Sequence, residues 1–158
     1  LAACAGVLVC AAITRLARGK TDVVMMLNGA LGGLVAITAE PLMPSPLMAI
    51  IIGGIGGALV FAGTELLVSL KIDDVVGAIP VHLIAGVWGT LAVPITNPDT
   101  SFGTQLLGTA SICVFVFVVS FIIWAIMKAT IGIRISEEAE KEGTDVAETG
   151  VIAYSIRD

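Results

Sequence analysis

The sequence predicts an all-α membrane protein. Hydrophobic residues make up 57% of the 158 residues and charged residues only 13%, whereas a soluble domain usually carries roughly 25% charged residues. The mean hydropathy is +1.04, and the apolar residues gather in long runs separated by short polar loops. Runs of this kind are typical of membrane-spanning helices, which place the chain in a lipid bilayer.

Five apolar runs define the predicted helices. They cover approximately residues 1–14, 23–39, 47–70, 74–93 and 104–131. All but the first reach the roughly 17 residues that a transmembrane helix needs. The first lacks the charged flank of a signal peptide, so we expect it to be the remnant of a helix cut at its N-terminus. The predicted organisation is a transmembrane region, residues 1–133, and a tail, residues 134–158.

Basic residues mark every second loop. They lie after the first run (Arg15, Arg18, Lys20), after the third (Lys71), and at or after the end of the fifth (Lys128, Arg134, Lys141). The two other loops, residues 40–46 and 94–103, contain no Lys or Arg. The positive-inside rule therefore predicts a multi-pass membrane protein with a cytoplasmic C-terminus.

Small residues four positions apart predict close helix packing. The pairs are Gly29 and Gly33, Gly53 and Gly57, and Ala85 and Gly89. Such spacing puts both residues of a pair on one helix face, where two backbones can approach closely within a membrane.

The fourth run combines an acidic start with an internal proline. Asp74 is expected to cap the N–H groups at a helix start, with substrate contact as the alternative. Pro80 should kink this helix and free the carbonyl of Val76, which a neighbouring helix must then satisfy. Such breaks often mark binding sites in transporters, and a purely structural kink is an equal alternative.

His82 is the single histidine of the chain. A helix beginning at Asp74 would put it roughly 12 Å below the membrane surface, close to the midplane at roughly 15 Å. An ionisable group there favours a transport path or a proton relay. The alternative is a buried neutral imidazole with no function.

Other classes of function find no support in the sequence. The unpaired cysteines and the lone histidine predict no metal site, and no cofactor is expected. The acidic balance, with more than half of the acids after Ser136, excludes a basic nucleic-acid surface. Neither Gly-x-Ser-x-Gly nor His-Glu-x-x-His occurs, so we expect no enzyme.

Three ordered segments resemble a known family. The first is Asp73-Asp74, Val81-His82, Gly86 and Gly89; the second runs from Asn28 to Thr38; the third is Gly132-Ile133-Arg134 with Ser136-Glu137-Glu138 and Glu142-Gly143-Thr144-Asp145. Together they are similar to the ammonium transporters of the Amt/methylammonium permease/Rh family. The resemblance extends over essentially the whole chain.

The resemblance implies a fold and a function. Family members have eleven helices, two inverted five-helix repeats plus a last long helix, and this chain would supply about helices 7–11. They form homotrimers that pass ammonium or ammonia, and in some cases methylammonium, through a hydrophobic pore. His82 matches the second of two midpore histidines, and Asn28 would be a polar residue near the pore. The fragment alone would be an incomplete pore; an ammonium sensor that signals through its tail is the alternative.

The tail has two interpretations. Ser136 can cap a short helix that ends at Gly143, and a solvated acidic tail is the simpler reading. The family resemblance implies a regulatory segment that includes Gly143, Asp145 and Tyr154 and contacts a PII-class signalling protein. Glu148-Thr149-Gly150 departs from the His-Gly-Glu of many members.

Overall fold

A computed structural model of the chain describes residues 1–153, which contain helices and no strand. The helices are α1 (Ala2–Arg18), α2 (Val23–Thr38), α3 (Pro46–Ser69), a π-helical segment (Ile79–Ile84) that continues as α4 (Ala85–Thr96), α5 (Phe102–Thr130), α6 (Glu137–Glu142) and a π-helical turn (Asp145–Thr149). The chain divides into two units, Leu1–Ile112 and Cys113–Asp158, which are described separately. The prediction of an all-α fold is confirmed.

Helix α1 continues four residues past the predicted end of the first apolar run. It ends at Gly19, whose φ of 70° lies in the left-handed region and whose N–H donates to the carbonyl of Arg15 at 3.1 Å. Glycine adopts this conformation without steric penalty and therefore stops a helix. The hydrophobic pattern identifies the apolar part of the helix, whereas the glycine determines its end.

Within residues 1–153, the helices long and apolar enough to cross a membrane are α3, the continuous helix Ile79–Thr96 and α5. Helix α2 is also apolar, but it has 16 residues and is shorter than the run 23–39 suggests. Its N-terminus is set by Asp22, which accepts a hydrogen bond from the N–H of Met25 at 3.0 Å, and it ends at Thr38.

Glycines allow α1, α2 and α3 to pack against one another. Gly29, Gly53 and Gly57 are buried. A Cβ atom on Gly57 would lie 2.6 Å from the carbonyl oxygen of Gly6 in α1, and one on Gly29 would lie 2.6 Å from the Sγ atom of Cys10. Contacts this short exclude any side chain, so the predicted small-residue stripes are the surfaces at which the helices meet.

The helix Ile79–Thr96 packs on α2 and α3 through two apolar clusters. The first contains Met25, Val60, Val81 and Ala85, and the second contains Ala36, Ile52 and Ala92. Trp88 packs beside the second cluster, and its indole N–H donates to the carbonyl of Ile52 at 3.0 Å. These contacts bury one face of the helix that carries His82.

Candidate functional site

The helix that carries His82 begins at Ile79, five residues later than predicted. Asp73 and Asp74 precede it in an irregular segment, in which Gly77 has a φ of +77°. A residue in the left-handed conformation interrupts the helical path, so the helix cannot run unbroken from Asp74. The predicted fourth helix, 74–93, is corrected to Ile79–Thr96.

The depth predicted for His82 changes with this boundary. The value of roughly 12 Å assumed a continuous helix from Asp74, which is wrong. His82 lies three positions after Ile79, which corresponds to about 4.5 Å of helix rise. The depth within a bilayer can therefore not be counted from Asp74.

Asp74 holds the start of the helix without being its first residue. Its Oδ1 atom accepts a hydrogen bond from the N–H of Ala78, and its Oδ2 atom accepts one from the N–H of Ile79, both at 2.8 Å. A carboxylate in this position satisfies two N–H groups that have no partner within the helix and complements the positive end of the helix dipole.

Substitution of Asp74 by alanine is expected to lower the free energy of unfolding by about 1–2 kcal/mol, because two N–H groups lose their acceptor. Asp74→Asn should retain part of this stability, because one acceptor oxygen remains. Chemical unfolding of the detergent-solubilised protein measures both. An Asp74→Ala protein as stable as the parent would show that water replaces the carboxylate without penalty.

Asn28 supplies the donor for the carbonyl of Val76. The Nδ2 atom of Asn28, on α2, donates to the carbonyl oxygen of Val76 at 3.1 Å. The prediction that Pro80 frees this carbonyl assumed a helix that includes Val76, whereas the helix begins at Ile79, after the turn at Gly77. A neighbouring helix does supply the bond, through an amide 48 residues away.

His82 lies on the exposed side of its helix. Pro80, Val81 and Ala85 are buried, whereas His82 and Leu83 are exposed. The buried face packs on α2 and α3, and the imidazole projects away from that contact. The structure therefore does not place His82 in the apolar clusters of the unit Leu1–Ile112.

A recess of about 140 Å³ adjoins the start of this helix. Its lining is mainly apolar and includes two carboxylates. The lining residues are Thr64, Leu67, Val68, Ile72, Asp73, Asp74, Gly77 and Pro80. Both oxygens of Asp74 are already engaged with backbone N–H groups. Across residues 1–153, no group of three His, Cys, Asp or Glu side chains is arranged to hold a metal ion.

The tail contains two short ordered elements. Ser136 caps α6 by accepting from the N–H of Ala139 at 3.2 Å, and Gly143, with a φ of 106°, ends it. Asp145 begins the π-helical turn, and its Oδ2 atom accepts from the N–H of Ala153 at 2.8 Å. Tyr154, predicted to belong to the regulatory segment, lies outside the described residues.

The carboxyl group of Asp145 should titrate at low pH. The N–H of Ala153, followed by that of Val146, stabilises the carboxylate and lowers the pKa of Asp145 below its ordinary 3.8. Because the lowered pKa belongs to the folded tail, the stabilisation is present above the ordinary value and is lost as the pH falls through the lowered one. We expect the side-chain ¹³C shift of Asp145 to titrate with a midpoint below 3.8. A midpoint at or above that value would show that the tail does not hold this contact in solution.

Comparisons with known proteins agree with one another. The family model described as the Ammonium Transporter Family matches residues 1–154. Ammonium transporter Amt2 of Archaeoglobus fulgidus is 39% identical across 98% of this chain. Ammonium transporter Amt1 of Haloferax mediterranei is 38% identical across 87%. A solved structure titled Sensor Amt Protein superposes with a TM-score of 0.86 and 31% identity across 93% of the chain.

The matches cover only part of each relative. The chain spans 37% of the Archaeoglobus protein, 28% of the Haloferax protein and 39% of the solved structure. Its fold is accordingly part of the larger fold of those proteins.

Proposed function

Because the chain belongs to the ammonium transporter family, we propose that this membrane protein takes part in ammonium transport and that His82 lies beside the path of the cargo. The observation that carries the proposal is the position of His82. It is an ionisable ring on the exposed side of an apolar helix whose opposite face is buried. We propose that this exposed side forms one wall of a hydrophobic pore, which these helices alone do not complete.

The chemistry of an apolar path separates ammonium from potassium. Removing the water from K⁺ in an apolar passage is costly, and K⁺ has no neutral form. Ammonium can give its proton to a nitrogen of the neutral His82 ring, which leaves ammonia and an imidazolium. The ammonia crosses the apolar section, and the imidazolium releases a proton from its other nitrogen on the far side, so that the ring is neutral again. A neutral imidazole suits this role because one nitrogen accepts while the other donates.

Assembly and orientation are further parts of the proposal. The family favours a homotrimer in the inner or plasma membrane, and the basic loops favour a cytoplasmic C-terminus. The ordered tail around Gly143 and Asp145 would then face the cytoplasm, where a PII-class protein is the proposed partner. Methylammonium is a second candidate cargo. The relatives named above are transporters, and we propose no enzymatic activity.

A sensor is the second candidate function. It is favoured by the solved structure titled Sensor Amt Protein, which shares 31% identity with this chain. A sensor would bind ammonium at the same helices and change the state of its tail without useful flux.

Uptake and binding measurements distinguish the two. The protein encoded by the complete gene is purified, its oligomeric state is checked, and ammonium uptake into liposomes is compared with ammonium binding in detergent. Uptake above that of empty liposomes supports transport. Binding without uptake in folded protein would favour the sensor, and neither uptake nor binding would overturn both.

A further inference from the structure

We propose that Asn28 is a positioning residue for His82. Its amide donates to the carbonyl of Val76, three positions before the helix, and it thereby fixes the start of the histidine-bearing helix against α2. The consequence for transport rests on the proposed function, whereas the consequence for the position of His82 does not.

The N–H groups at the start of this helix are all accounted for. Those of Ala78 and Ile79 donate to Asp74 at 2.8 Å. Pro80 has none, and that of Val81 donates to the carbonyl of Gly77 at 3.1 Å. The carbonyl of Val76 lies before the helix and is turned out of the helical path by Gly77, so it takes its donor from outside the helix.

The side chain of Asn28 is fitted to this acceptor. Its Nδ2 atom lies 3.1 Å from the oxygen of Val76. A Cβ atom on the buried Gly77 would lie 2.6 Å from the same Nδ2 atom. Residue 77 must therefore be glycine for the amide of Asn28 to reach the carbonyl of Val76. Gly77 also needs its positive φ of +77°. The turn at Gly77 and the bond from Asn28 to Val76 thus depend on one another.

The bond acts on His82 through the π-helical segment. This segment runs from Ile79 to Ile84 and is closed at its far end by the N–H of Ala85, which donates to the carbonyl of Pro80. A π-helical turn is rarer and less favourable than an α-helical one, so its surroundings must hold it in place. Asp74 holds it from within its own segment, and Asn28 ties it to a neighbouring helix. Without Asn28, the segment can rotate or rewind, and the ring of His82 moves with it.

Two readouts on the protein encoded by the complete gene test the proposal. The first is the rate at which diethyl pyrocarbonate modifies His82, followed by peptide mass spectrometry, which needs no transport. The second is the ammonium-dependent current in proteoliposomes. For Asn28→Leu, which keeps the branched shape of the side chain and removes its donor, we expect at least a threefold change in the modification rate. We also expect a maximal current reduced about tenfold, with the half-saturating ammonium concentration changed less than twofold.

The matched control is Asn97→Leu. The amide of Asn97 donates a hydrogen bond to the carboxylate of Glu40 at 3.0 Å. Asn97 follows the C-terminal end of the histidine-bearing helix, at the opposite end from Asp74. This variant should leave the modification rate of His82 within twofold of that of the parent. If the loss of either amide bond merely loosened the helix bundle, Asn28→Leu and Asn97→Leu would change the modification rate of His82 alike.

An unchanged modification rate of His82 in Asn28→Leu would overturn the proposal, and so would an equal change in Asn97→Leu. If the parent carries no ammonium current, the proposed function fails, while the modification rates still decide the role of Asn28.

Discussion

Replacement of His82 by alanine is expected to reduce the ammonium-dependent current on the order of 100-fold, the usual contribution of a positioned proton-transfer group. The side chain is exposed on its helix, so its removal leaves no cavity in the apolar clusters and the fold should persist. The loss would then be one of proton transfer, because alanine can neither accept the proton of ammonium nor release it. Current recordings on liposomes of equal protein content measure the effect.

Leu83→Ala is the matched control for this experiment. Leu83 is the next residue on the same helix and is also exposed, but it has no group that carries a proton. Its truncation should change the current less than the loss of His82 does. An ammonium current in His82→Ala equal to that of the parent would rule out a proton relay at this residue.

Substitution of Gly57 by alanine is expected to lower the free energy of unfolding by about 2–3 kcal/mol, as overpacking of a tight interface does. The new Cβ atom would lie 2.6 Å from the carbonyl oxygen of Gly6 and 2.7 Å from its Cα atom. Both are backbone atoms, so relief requires α1 and α3 to move apart. Unfolding by denaturant in detergent measures the loss.

Gly54→Ala, less than one turn away on α3, is the control. A Cβ atom there would meet the Cγ2 atom of Val9 at 3.4 Å, an ordinary contact. Alanine is also the better helix former by about 1 kcal/mol. The two substitutions should therefore have opposite signs. Equal effects would mean that α1 and α3 do not meet at Gly57 in solution.

The sequence was sufficient to predict what depends on composition and short spacing. The apolar runs predicted the helices, and the glycine pairs predicted where the helices meet. The three motifs around His82, Asn28 and Gly132 predicted the family, which the match over residues 1–154 confirms. These features are local, since each is set by residues a few positions apart.

The sequence was less informative about helix ends. An acid before an apolar run usually marks a helix start, which led to the start at Asp74. Asp74 does bind N–H groups, but those of Ala78 and Ile79, across a turn at Gly77. Gly77 and Pro80 together were the signal for a later start. Similarly, α1 ends at Gly19 and not where its apolar pattern fades.

The partner of Val76 could not be identified from sequence. Pro80 predicts that this carbonyl lacks a donor, but the donor comes from Asn28, 48 residues earlier in the chain. A bond over that separation depends on how α2 packs against the later helix, through contacts such as Met25 with Val81. Only the three-dimensional arrangement reveals it.

We propose that this protein conducts ammonium along an apolar path. Paired jumps of ammonium and potassium concentration, applied to the same proteoliposomes containing the protein encoded by the complete gene, test this proposal most directly. We expect a current after the ammonium jump and none above the empty-liposome background after the potassium jump. Currents of similar size from both ions would contradict an apolar path, because K⁺ has no neutral form in which to cross it.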